Sequence, residues 1–345
     1  MLKLHIGNIS DKEKRMETKK LIDCCEFISD GDHLPPPKSD SGVPFITISN
    51  ITGQNKLSFE DTMFVPESYY NGLNENKKAQ KGDILYSVVG SFGKPVYVDF
   101  DKQMVFQRHI AILRPKRNVN ARFIYYTMLN PQFYKLVDKL AIGCSQRTVT
   151  LDTLRNIEVN LPDKDIQDKM VGILSLIDEK IANNNAINDN LQQQAILLYD
   201  YWFTQFDFPD ANGKPYYSSG NKMTWNNQLK KNIPLSWKVK PLKAICEICL
   251  GGTPSTTVSK YWNGSISWLN SGEIAQFPVV SSEKKITQLG LENSPTKLMS
   301  KNTTVISITG NIRASILALD ACANQSVVGI LENEIFKSPF IYQNM

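Results

Sequence analysis

The chain has 345 residues, 41% hydrophobic and 10% aromatic, enough to bury more than one core and to form about two domains. It contains no run of roughly 18 apolar residues, and no basic segment near the N-terminus leads into an apolar stretch with a cleavage site, so the reading is a soluble, cytoplasmic protein with no membrane partner. The net charge of +5 is unevenly spread: between Asp163 and Phe206 seven acids face three lysines, a local charge of −4, so the remainder sums to +9.

Positive charge excluded from a connector and gathered on the parts that flank it suits a two-handed phosphate binder. Six cysteines, Cys24, Cys25, Cys144, Cys246, Cys249 and Cys322, are sparse and fit reduced, buried thiols rather than a disulfide framework. Cys246-Glu247-Ile248-Cys249 has zinc-knuckle spacing, but there is no second CxxC and His5, His33 and His109 are scattered, so no metal is expected.

Along the first 160 residues the apolar runs are short, rich in Ile, Val, Phe and Tyr, and separated by Gly, Pro and Asn, which predicts strands. Arg122 to Leu140 adds a helical pattern broken at Pro131. From Ile166 to Phe203 there is no proline, and Met170, Leu174, Ile177, Ile181, Asn184, Asn188, Leu191, Ala195, Leu198 and Trp202 recur with steps of four and three. That is a heptad seam, predicting one helix of about 57 Å at 1.5 Å per residue, opened by Asp163 and Asp165 in its first turn. An apolar stripe on so long a helix needs a partner. Asn184 and Asn188 sacrifice packing energy within the seam, a device that fixes register and orientation; a helix lying on its own domain, with the asparagines at a wet edge, is the plainer alternative.

Beyond the helix the chain repeats itself at an offset of 217 to 223 residues. Leu21 to Gly31 aligns with Leu242 to Gly252, setting Cys25-Glu26 on Cys246-Glu247. Gly42 to Ile51 aligns with Gly264 to Ile274 after one residue of slippage, Ser87-Val-Val-Gly90 with Ser307-Ile-Thr-Gly310, Gln107 with Gln325, and Phe123 to Met128 with Phe340 to Met345. The fold class expected is α+β: two strand-rich mixed units joined by a long heptad helix. The boundaries expected are 1–160 for the first unit, 161–206 for the helix, 207–236 for a linker and 237–345 for an incomplete second unit.

A recognition unit, a long heptad helix and a second copy of the unit resemble the specificity subunit of type I restriction-modification systems. Gly143-Cys-Ser-Gln-Arg-Thr-Val-Thr-Leu-Asp-Thr-Leu154, followed by Ile157 to Pro162 and Gln167, is similar to that family's exit from a recognition domain into its helix. Gly251-Gly-Thr-Pro-Ser255, Tyr261-Trp262 and Ile266-Ser-Trp-Leu269 are similar to the opening of another recognition domain. The resemblance implies sequence-specific binding of double-stranded DNA at a bipartite site and no catalysis by this chain. It implies partner methylation and restriction subunits that carry S-adenosylmethionine, ATP and Mg, and self-association through the helix. The family's second long helix, expected near residues 380 to 425, is missing from this sequence, which is expected to lack its C-terminal end.

Catalytic motifs fail on inspection. Pro35-Pro36-Pro37 lacks the amide of an adenine methyltransferase, and Gly90-Ser-Phe-Gly-Lys-Pro95 has Val88 where a phosphate loop needs its first glycine. Asp163 and Asp178-Glu179-Lys180 fit a loose nuclease pattern, but on one helix the two aspartates stand about 22 Å apart and cannot share a metal. Base reading calls for Arg on guanine and Asn or Gln on adenine, with Lys, Ser and Thr on phosphates. Loop residues of that kind are Ser91, Lys94, Gln107, Arg108, His109, Gln146 and Arg147 in the first unit, and Thr253, Ser255, Asn270, Ser271, Asn311, Arg313 and Gln325 in the second. The competing reading is a coiled-coil scaffold that binds no DNA directly, with a weak, salt-insensitive DNA affinity.

Overall fold

A computed structural model describes residues 16–53, 55–143 and 147–345. It divides into two compact units, residues 1–185 and residues 186–345.

The first unit contains strands β1 (Glu17–Lys20), β2 (Cys25–Asp30), β3 (Val43–Ile46), β4 (Ile51–Gly53), β5 (Lys56–Leu57), β6 (Met63–Val65), β7 (Ile84–Ser87), β8 (Pro95–Tyr97), β9 (Val105–Phe106), β10 (Ile110–Pro115) and β11 (Glu158–Leu161). Helices α1 (Glu67–Gly72), α2 (Ala121–Leu129), α3 (Pro131–Leu140) and α4 (Leu151–Asn156) complete it. A four-stranded antiparallel sheet runs β2-β10-β7-β8, and a three-stranded sheet runs β6-β3-β9, antiparallel at β3/β6 and parallel at β3/β9.

β7 and β10 sit in the middle of the larger sheet, and their alternate residues feed two cores. Ile84, Tyr86, Ala111 and Leu113 pack toward Phe123, Ile124 and Met128 of α2, whereas Leu85, Ile110 and Ile112 pack toward Ile46 and Phe106. Each such side chain contributes about 1.5–3 kcal/mol on burial, so strands buried on both faces need no polar alternation. Asn120 caps α2 by accepting from the amides of Arg122 and Phe123, and Asn130 caps α3 ahead of Pro131. The helical break expected at Pro131 is thus the junction of two capped helices.

β1 pairs with β11 antiparallel and brings the strand just before the long helix back beside the opening of the unit. Helix α5 (Lys164–Tyr199) follows and passes into a π-helical turn at Asp200–Thr204. Its first turns are fastened to α2. Gln167 is buried, accepts from the Asn120 amide at 2.8 Å and donates to the Pro162 carbonyl at 2.7 Å, and Tyr126 donates to Asp178 at 2.7 Å.

In the second unit, after the C-terminal part of α5, comes a hairpin of β12 (Met223–Asn226) and β13 (Lys231–Pro234), inside the stretch expected to be a linker. Then come β14 (Ile248–Leu250), β15 (Trp262–Leu269), β16 (Lys284–Ile286), β17 (Thr304–Ser307), β18 (Arg313–Ile316), β19 (Ala321–Ala323) and β20 (Val327–Ile330), with α6 (Gln288–Glu292) and α7 (Ser338–Gln343). One sheet runs β14-β20-β17-β18 and the other β16-β15-β19, with β15/β16 antiparallel and β15/β19 parallel. These two sheets have the topology of the first unit's four- and three-stranded sheets, with β2 matched by β14, β3 by β15 and β10 by β20.

The ladders correct the sequence alignment by one residue in two places. The Gly31 amide donates to Ile110 and that of Gly251 to Val327, while those of Asp32 and Gly252 donate to Phe106 and Ala323. Gly31 therefore matches Gly251, not Gly252, and the Cys25-Glu26 match to Cys246-Glu247 does not hold in the strand register. Both glycines sit where the chain crosses the end of the three-stranded sheet. A Cβ on Gly31 would collide with the Phe106 carbonyl, and one on Gly251 with that of Asn324. Likewise the amides of Gln107 and Asn324 donate to Ile46 and Leu269, both at 2.9 Å, so Gln107 matches Asn324 and Arg108 matches Gln325.

Candidate nucleic-acid interface

The β7–β8 turn is built around a buried serine. The Ser87 hydroxyl donates to the Ser91 carbonyl at 3.0 Å and accepts from the Lys94 amide at 3.0 Å. In the second unit the Ser307 hydroxyl donates to the Asn311 carbonyl at 2.8 Å and accepts from the Arg313 amide at 2.9 Å. Gly90 and Gly310 turn the chain with φ of 66° and 69°. With the hydroxyl holding the turn from beneath, Ser91, Lys94, Asn311 and Arg313 stand exposed.

The β9–β10 turn lies against the same sheet edge. The Arg108 amide donates to the Asp32 carbonyl at 3.0 Å, and the Val88 amide donates to the His109 carbonyl at 2.9 Å. Arg108 is exposed, Gln107 and His109 are half-buried, and Arg108 Nε approaches His109 Nε2 at 3.4 Å. Burial and the neighbouring Arg108 hold the His109 imidazole below its ordinary range, so at neutral pH it offers one donor and one acceptor. The matching turn carries Asn324, Gln325 and Ser326, with the Ile308 amide donating to the Ser326 carbonyl at 2.9 Å. Asn324 and Ser326 are not evident from sequence because both turns are polar throughout, so hydrophobic patterning does not fix their register.

Arg147 joins the first cluster through its carbonyl, which accepts from Gly90 at 3.1 Å. Its guanidinium is occupied, paired with the Asp138 carboxylate and carbonyl and lying over the Phe92 ring at 5.7 Å. Gln146 and Cys144 lie outside the described residues. In the second unit Thr253 donates to Gln325 Oε1 at 2.7 Å, coupling two candidates. Asn270 caps a turn, accepting from Gly272 at 2.8 Å and Glu273 at 3.2 Å. Ser255 is exposed and contacts Thr257 at 2.9 Å, and Ser271 is half-buried. The structure thus gathers Ser91, Lys94, Gln107, Arg108, His109 and Arg147 at one edge, and Asn311, Arg313, Gln325 and Thr253 at the equivalent edge.

Of the helix positions, Met170, Leu174, Ile177, Ile181, Leu191 and Leu198 are 37–57% exposed, and Asn184 and Asn188 are exposed as well. Trp202 falls in the π-helical turn, its ring 6.3 Å from that of Phe203, so the exposed seam ends at Leu198. Among the described residues no group of three His, Cys, Asp or Glu could hold a metal, and no helix is long and apolar enough to cross a membrane. Cys246 and Cys249 are buried in separate clusters, one with Ile341 and the other with Met299.

The family model described as type I restriction modification DNA specificity domain matches residues 13–193. The chain belongs to this family. Among specificity-domain relatives, the HindI specificity subunit of Haemophilus influenzae is 31% identical over 137 residues, 38% of this chain and 30% of that one. The MjaIX specificity subunit of Methanocaldococcus jannaschii is 24% identical over 196 residues, 57% of this chain and 43% of that one. The chain thus spans less than half the length of these relatives. The type I S subunit from M. genitalium shares the fold, with a TM-score of 0.50 at 15% identity over 99% of this chain and 78% of that one.

Proposed function

We propose that this chain is the DNA-recognition subunit of a type I restriction-modification complex. Each unit reads one segment of a bipartite site in double-stranded DNA, and partner methylation and restriction subunits methylate adenine and cut. In this reading the chain carries no catalytic group, and S-adenosylmethionine, ATP and Mg belong to the partners. One observation carries the proposal: the same loop cluster occurs twice on the same scaffold with different side chains at matched positions. Ser91 is matched by Asn311, Lys94 by Arg313, Gln107 by Asn324 and Arg108 by Gln325. Such residues are suited to distinguish bases, and a change of set between units suits two different half-sites.

The exposed seam of α5 supports pairing with another helix, from a second copy, a separate chain or the methylation subunit, because no apolar stripe of that length is stable in water. Co-expression with a methylation subunit and genome-wide mapping of methylated adenine is expected to return a split motif with two unlike halves. A palindromic motif would reject independent reading by the two units, and no methylation from a complex holding all subunits would reject the recognition role.

A further inference from the structure

The densest positive charge of the chain lies where neither loop cluster does. Residues 211–246 hold seven lysines, Lys214, Lys222, Lys230, Lys231, Lys238, Lys240 and Lys243, and no acid. Residues 247–345, which hold the second loop cluster, carry seven basic and seven acidic residues and are neutral. The lysine-rich stretch is a folded module. Phe208 stacks on Tyr216 at 4.8 Å and on Trp237 at 5.3 Å, Phe206 meets Trp237 edge-on at 5.4 Å, and the β12–β13 hairpin lies in the chain between Tyr216 and Trp237.

All seven lysines are exposed, and among the described residues none forms an ion pair. The nearest preceding acids are spent on the backbone. Asp207 accepts from the amide and hydroxyl of Ser218, and Asp210 from the amides of Asn212 and Lys214. A small fold that keeps seven like charges unpaired is built for an external polyanion. That all seven are lysine and none arginine favours phosphates over base edges, since the ammonium is a point charge without the planar fork that reads guanine. It also disfavours a protein surface, where lysine is depleted.

We infer that the module of residues 211–246 grips the phosphate backbone of duplex DNA independently of sequence. This rests on the recognition reading above and adds to it a third binding surface apart from the two base-reading clusters. The test is a salt titration of the full chain on a fluorescent duplex of about 40 base pairs lacking any target motif, read by anisotropy. The parent is compared with a variant carrying Lys222→Gln, Lys230→Gln, Lys238→Gln and Lys240→Gln. Lys231 is spared because its ammonium lies over the Phe206 ring at 4.9 Å.

The slope of log affinity against log salt is expected to become shallower by about 0.9 for each phosphate that is no longer neutralised, up to about 3.6 for four, with an unchanged circular dichroism spectrum. A steep parental slope that the variant keeps would overturn the inference and leave the recognition reading standing. The same result with loss of co-purification with the methylation subunit would overturn it in favour of protein docking. A parental chain with no salt-dependent affinity would overturn both.

Discussion

Asp83 lies 2% exposed beneath the larger sheet of the first unit, and its carboxylate takes Arg114 in a two-pronged contact at 2.8 and 3.0 Å while also accepting from the Gln80 amide. The pair bridges the loop before β7 to the end of β10. Asp83→Ala leaves the guanidinium, itself 15% exposed, without its counter-charge. A loss of roughly 3–5 kcal/mol is expected in chemical denaturation followed by circular dichroism, the range for breaking a buried pair from one side. Neither residue stands out in the sequence, because an Asp and an Arg separated by 31 positions have no local signature. The serines under the β7–β8 and β17–β18 turns are legible, since the Ser-x-x-Gly spacing recurs in both copies. Arg147 reads from sequence as a free base-reading side chain; its bond to Asp138 depends on α3 returning beside the β7–β8 turn, which no local pattern reveals.

At the scale of elements, α5 is the most legible feature and its far end the least. Heptad spacing and the Pro162-Asp163 opening anticipate a helix over Ile166 to Phe203, and the observed helix runs Lys164–Tyr199, about 54 Å at 1.5 Å per residue. The π-helical turn that ends it has no sequence signature, and so spacing alone carries the seam on to Trp202. The hairpin of β12 and β13 is hard to see in sequence because asparagine and lysine dominate it, and its aromatic support is spread from Phe206 to Trp237. The seam makes a prediction. Ile177→Asp combined with Ile181→Asp is expected to leave helix content unchanged while weakening association by at least about 100-fold, since two buried isoleucines are worth roughly 3 kcal/mol or more. Sedimentation velocity across a concentration series measures this, and an unaltered association constant would show that the seam is not the interface.

For the molecule as a whole, duplication is visible in four short alignments, but the strand ladders are needed to set their register. Charge arithmetic locates the excess outside the helix without showing that its densest part rests on a hairpin module rather than on the second loop cluster. The paired clusters predict independent halves. Arg108→Ala is expected to relax one half of the methylated motif and Arg313→Ala the other, each by an interaction worth about 1–3 kcal/mol. Methylome sequencing of the two variants reads this directly, and a change in the same half from both would disprove one cluster per half-site.

The β9–β10 turn is suspended almost entirely by main-chain atoms: Gln107 on Ile46, Arg108 on Asp32 and Val88 on His109. Folding therefore asks little of the exposed Arg108 and the half-buried Gln107 and His109 side chains. Scaffold and vocabulary are separable in this architecture, so a library randomised at Gln107, Arg108 and His109 should yield mostly folded proteins with altered targets, and a lineage could drift to new targets through stable intermediates.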